Sequence, residues 1–220
     1  NSQIISSTDY AGGICSFNNT GATIYFSNVD AYVSGSSYIG GITGTNKGSI
    51  RKSYSKGSVS SSVSYIGGLV GVNQGSVYQC YSHADVSCYE YGGGLVGLNY
   101  STVEESYSKG SVTNSAQNSG GLIGFNFGSV IRSFWDTETS GYETSAGGIG
   151  KTTEEMLNRA TFEAEGWNFE LVWANDNNTV YPYLLTTTTV PYTLNTPLQE
   201  AQNLIISAGL TVGNITYQCS

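Results

Sequence analysis

A phrase of two glycines followed by Ile or Leu recurs along this chain at nearly constant spacing. It begins at Gly12-Gly13, Gly40-Gly41, Gly67-Gly68, Gly93-Gly94 and Gly120-Gly121, and a sixth pair, Gly147-Gly148, opens "GGIG". The steps are 28, 27, 26, 27 and 27 residues. A period in this range marks a repeat architecture, in which one unit cannot bury its own apolar side and needs a neighbour.

Aligned on the first glycine, the columns have physical meaning. Two residues on stand Ile14, Ile42, Leu69, Leu95 and Leu122. Four on stand Gly44, Gly71, Gly97 and Gly124, with Ser16 in the first unit, and six on stand Asn18, Asn46, Asn73, Asn99 and Asn126. A β-branched column follows (Ile24, Ile50, Val77, Val103, Val130), then an aromatic one: Tyr54, Tyr81, Tyr107 and Phe134, with Asn28 in the first unit. The last apolar column is Val33, Val59, Val86 and Val112. The fold expected is all-β: a parallel β-solenoid of about five 26–28-residue coils, with a mixed α/β cap and a short C-terminal α+β segment. Each strand then pairs with its counterpart one coil away, about 4.8 Å along the axis, and like meets like. The asparagines suit a ladder of side-chain amides. The glycines mark bends at positive φ, or places where coils come too close for a Cβ. Stacked hairpins or a propeller are the competing architectures, and a 27-residue unit is short for a blade of about 40.

"GGLVGVNQGSVYQCYSHADV", "GGLVGLNYSTVEESYSKGSV" and "GGITGTNKGSIRKSYSKGSV" resemble GLUG-motif repeats. That resemblance implies a large bacterial surface or secreted protein, of adhesin-like type or among the immunoglobulin-cleaving peptidases, where the motif is accessory and the catalytic zinc motif lies elsewhere. Residues 1–150 are assigned to the solenoid.

From Ser133 the composition changes, and all three Trp (Trp135, Trp167, Trp173) lie from here on. "TTEEMLNRATF" reads as one short helix capped by Thr152 or Thr153, with acids in its first turn. Residues 151–185 are expected to cap the last coil, whose edge would otherwise be exposed, with Trp167, Phe169 and Trp173 packed on it. Exposed Trp and Tyr as a sugar-stacking platform is the alternative. "TTTT", Thr186 to Thr189, reads as a linker, and residues 190–220 resemble the first half of a PASTA module, with a helix from Pro197 to Ala208 closed by Gly209. That resemblance implies contact with peptidoglycan or a spacing role.

The formal net charge is -8 and only eight residues are Lys or Arg, which argues against nucleic acid as a partner. No apolar run approaches the roughly 18 residues of a membrane span. The chain opens on Asn1 without a visible signal peptide and reads as a processed product or a piece of something longer. Few lysines and many hydroxyl residues point to an extracellular or cell-surface location.

No nucleophile set stands out. His83 falls in the column of Lys56 and Lys109 and reads as solvated. Glu104 and Glu105 are strand neighbours, expected on opposite faces. Asp136 and Glu138, and Asp176-Asn177-Asn178, are oxygen-rich turns at which a structural Ca²⁺ is the sole cofactor considered. Cys80 shares a column with Ser53, Ser106 and Ser133 and reads as filling a small inward slot. A Cys80–Cys88 disulfide is a candidate, while Cys15 and Cys219 pair only if the ends meet.

The function expected is non-enzymatic: an extracellular structural or adhesive repeat protein, as a rigid stalk, adhesin segment or self-assembling fibre subunit. The partners expected are copies of itself, end to end or by sharing strands, or glycans of the cell surface or cell wall. The alternatives are a carbohydrate- or cell-wall-binding module and an accessory region of a large secreted peptidase.

Overall fold

A computed structural model describes residues 2–7, 9–114, 118–176 and 178–185, together with 200 and 203. The Thr linker, the PASTA-like segment with its helix apart from residues 200 and 203, and Cys219 lie outside the described residues.

The chain winds as a parallel β-solenoid of about five coils. Each coil contributes to four parallel faces. A glycine face holds Ala11–Gly12, Ile39–Gly40, Ser64–Gly67 and Glu90–Gly93. An asparagine face holds Cys15–Asn18, Thr43–Asn46, Val70–Asn73, Val96–Asn99 and Ile123–Asn126. A third face, the β-branched one, runs from Thr23–Tyr25 through Ser76–Tyr78 to Ser129–Ile131. The fourth, aromatic face starts with Ser2–Ile5, runs through Asn28–Gly35 and Tyr54–Ser61, and ends with Phe134–Asp136 and Ile149–Lys151. Register is one coil throughout: Val77 pairs with Ile50 and Val103, Tyr81 with Tyr54 and Tyr107, and Val86 with Val59 and Val112. Inside, Ile42, Leu69, Leu95 and Leu122 pack with the valine columns as one dry core.

The corners are not where the glycines are. Two columns of non-glycine residues take left-handed backbone: Phe26, Lys52, Gln79, Glu105 and Arg132 before the aromatic face, and Tyr38, Tyr65, Tyr91 and Asn118 at the entry to the glycine face. The glycine pairs instead sit where neighbouring coils touch. A Cβ on Gly67 would lie 2.0 Å from the Val70 carbonyl oxygen of its own coil and 2.7 Å from that of Leu95 in the next, and one on Gly68 would lie 2.2 Å from that of Gly94. For the first five pairs close approach, not positive φ, is therefore the reason for glycine, while Gly148 of the sixth does take a positive φ of 93°.

The helical run expected as one helix breaks at Asn158, which is extended (φ -85, ψ 116) and turns its side chain to the Ala160 amide. The result is α1 (Thr137–Ser140), α2 (Thr153–Leu157) and α3 (Arg159–Glu163). Thr152 and Glu155 form a reciprocal capping box at α2. Among the described residues no helix is long and apolar enough to cross a membrane.

The seat of the cap differs from the expected one. Trp135 closes the end of the core: it joins the inner cluster, lies where a Gly121 Cβ would be, and donates its indole N–H to the Tyr142 carbonyl. Trp167, Phe169 and Trp173 belong to a second cluster with Tyr81, Tyr107, Phe134 and Phe162. The cap thus touches the last coil through Trp167, which contacts Phe134 and donates its indole N–H to the Arg132 carbonyl, and extends from there along the flank over Tyr107 and Tyr81.

Candidate functional site

Two arrangements carry the chemistry of this chain: a file of buried amides, and a cleft where the aromatic face meets the cap.

The asparagines stand in one file and bond head to tail. Asn18 Nδ2 donates to Asn46 Oδ1 at 2.7 Å; Asn46 to Asn73, Asn73 to Asn99 and Asn99 to Asn126 follow, each at 2.8 Å. Their second amide protons reach backbone carbonyls, such as Ser76 for Asn46 and Thr102 for Asn73. Asn46, Asn73 and Asn99 are fully buried. All the dipoles point one way, so each bond polarises the next.

The aromatic column is also brought together. Tyr54 and Tyr81 stack at 4.6 Å and Tyr81 and Tyr107 at 5.3 Å, and Phe134 continues the register. Tyr81, Tyr107 and Phe134 are buried under the cap. Their ring faces are taken by one another, so this column offers a sugar no platform.

Cys80 and Cys88 are free thiols, which corrects the candidate disulfide. Each faces its own neighbours: Cys80 Sγ lies 3.3 Å from the Tyr78 carbonyl and Cys88 Sγ lies 3.9 Å from Ser119 Oγ. Cys80 fills a buried slot in the serine column, and burial pushes its thiol up to about 12. Cys15 is free too, 3.6 Å from Thr43 Oγ1.

Glu104 and Glu105 do not face apart. Glu104 ends its strand and Glu105 turns left-handed (φ 45), so both carboxylates meet the Arg132 guanidinium, at 2.5 and 2.8 Å. Strand alternation fails at a corner.

The carboxylate of Asp136 caps α1 through the Glu138 and Thr139 amides and accepts from Thr153 Oγ1 and the Tyr181 hydroxyl. A cation there would have to displace four donors. Asp176 accepts from the Tyr183 hydroxyl.

His83 departs most from expectation. Its file along the axis reads Asp30, Lys56, His83, Lys109, Asp136, two residues beyond the aromatic column. The cap covers this file, so His83 is half-buried beside Tyr81, Tyr107 and Tyr181. Burial, with Lys109 and Lys56 adding to it, drives its imidazole down to about 3. The Tyr107 hydroxyl donates its one proton to the Pro182 carbonyl at 2.6 Å. The 2.7 Å contact between His83 Nε2 and that hydroxyl must therefore be donated by the imidazole. His83 is the Nε2–H tautomer, and Nδ1 keeps a lone pair. Around it lies a cleft of about 640 Å³, lined by Lys56, Tyr81, Lys109, Tyr181, Tyr183 and Val180 among others.

A third feature was legible but unread. Tyr10, Tyr38, Tyr65 and Tyr91 stand two residues before the first four glycine pairs. On the outer surface they stack at 4.7, 5.2 and 5.0 Å. Their spacing was the signal.

The family model for the GLUG motif matches residues 89–113, one coil from the glycine face to the valine column. The chain is a repeat protein carrying that motif, with the same columns in the other coils. No curated protein and no solved structure matches the chain.

Proposed function

We propose that this chain is a non-enzymatic structural repeat protein that works outside the cell, as a rigid segment of a surface stalk, adhesin or fibre. The observation that supports the reading is the unbroken file from Asn18 to Asn126, each amide bonded to the next inside a stack of parallel strands. Such a stack resists bending and proteolysis, because bending opens bonds that have no water to replace them. The GLUG motif at residues 89–113 fits a repeat of this kind.

End-to-end assembly has a physical opening at the first coil. Ile14, Phe17, Tyr25 and Phe26 are each more than two-fifths exposed there, on or beside the strands Cys15–Asn18 and Thr23–Tyr25, which carry a neighbour on one side alone among the described residues.

Hydrogen exchange joined to electron microscopy tests the proposal. Amides of the middle coils, from Ile39 to Asn99, should exchange only through global unfolding, and the particles should be short rods, single or in rows. Rapid exchange across those coils, or flexible particles, would refute a stiffening role.

A further inference from the structure

We propose that the cleft beside His83 binds a carboxylated sugar, its carboxylate held between Lys56 and Lys109 and a ring hydroxyl donating to His83 Nδ1. The binding site is independent of the rod: a stiff stack needs no ligand, and a ligand site needs no stalk.

Charge is the first argument. The chain carries a net charge of -8, yet two lysines line one cleft. Among the described residues neither is within ion-pair distance of a carboxylate, while Arg132, Lys151 and Arg159 all are. Both rest on ring faces instead, Lys109 Nζ 4.8 Å from the Tyr181 centroid and Lys56 Nζ 5.2 Å from that of Tyr54. They flank His83 one coil to either side. Of the acids nearest in the file and at the rim, Asp136 is engaged by four donors and Asp176 by the Tyr183 hydroxyl, while Asp30, one coil beyond Lys56, is exposed and outside ion-pair distance of it. A cationic mouth in an acidic chain is complementary to an anion.

The second argument is the tautomer. His83 Nε2–H is committed to Tyr107, whose own proton is committed to Pro182. Among the described residues Nδ1 has no partner, and in this tautomer it can only accept. A site with two cations and one neutral acceptor calls for an anion with a donor beside it. A sulfate or a phosphomonoester dianion has no donor on the anionic group itself. A sugar acid carries both groups on one ring. The third argument is shape. Tyr181, Tyr183, Leu157 and Val180 give the cleft apolar walls suited to the C–H face of a pyranose, and its volume is that of ordinary small-ligand sites.

The test is calorimetric titration of the whole chain with tetragalacturonic acid and, separately, sialyllactose, so that uronic and sialic acids are distinguished. Methyl-esterified tetragalacturonate and lactose are the uncharged counterparts. At least one acid should bind about tenfold or more tighter than its counterpart. Lys56→Gln and Lys109→Gln should each weaken it about tenfold, whereas Lys47→Gln, on another face, should leave it unchanged. His83→Phe should weaken it too, with exchange protection of the coils retained. Absence of binding by both acids at about 10 mM, equal binding of acid and counterpart, or no difference between the cleft lysines and Lys47 would each overturn the proposal.

Discussion

Asn73 shows what one residue contributes in a stacked fold. It accepts from Asn46 and the Gly75 amide and donates to Asn99 and the Thr102 carbonyl. Alanine there strands a buried donor on one side and a buried acceptor on the other, each costing about 1–3 kcal/mol. Asn73→Ala should therefore lower stability by about 3 kcal/mol in denaturant unfolding. An exposed Asn replaced by Ala, such as Asn19, should cost far less. Cys80 gives a second residue-scale expectation. With its thiol pushed up to about 12 and no solvent exposure, a maleimide should label it only when the chain unfolds. Labelling of native Cys80 at the rate of a denatured thiol would contradict the packing. The asparagine column is readable from sequence because a ladder needs the same amide in each layer. His83 is not, because its burial comes from a segment about a hundred residues later.

At the scale of elements, α2, α3 and the two Trp that follow are held to the solenoid by rings and by a few polar ties: Trp167 to the Arg132 carbonyl, Thr153 to Asp136, and the buried Tyr107 hydroxyl. Tyr107 stacks on Tyr81, contacts Phe162, Trp167 and Trp173, and bonds Pro182. Tyr107→Phe keeps the rings and removes the hydroxyl, which leaves His83 Nε2–H and the Pro182 carbonyl without a partner. The cap should loosen by about 2 kcal/mol while the coils stay intact. Tryptophan emission should shift to the red at lower denaturant than coil unfolding does, whereas in the parent the two coincide. If they still coincide in the variant, the hydroxyl does not hold the cap. The break of the helical run at Asn158 was beyond sequence reading for a related reason. "TTEEMLNRATF" has the composition of one helix, and Asn158 as a second cap competes with continuation through it at little difference in energy.

The whole molecule should carry a pH signature of the buried imidazole. Native His83 gains its proton near pH 3, while an unfolded one does so near 6.5. Between those values the unfolded chain binds the extra proton, so stability falls as pH falls from about 6.5 and this loss stops below about 3. The slope from this one group is at most about 1.4 kcal/mol per pH unit. Carboxylates add their own acid dependence, so the readout is the difference between the parent and His83→Gln. The variant should lose less stability from pH 6.5 to 4. Parallel curves would mean that the imidazole is not held neutral.

The sequence alone determined the period, the parallel stacking and which columns meet, because a layer 27 residues long places every residue on its own equivalent and rewards identity there. The GLUG-like phrases, the single file of amides and the stacked tyrosines all follow from that one regularity. Tertiary structure alone decided where the coil turns, since its left-handed corners fall on residues as unlike as Phe26, Lys52, Gln79, Glu105 and Arg132, each held there by the coils around it rather than by its own preference. It also decided that the cap lies along the flank, and with it the burial, tautomer and open nitrogen of His83. These depend on contacts made once, between segments that do not repeat, and a periodic pattern carries no record of them.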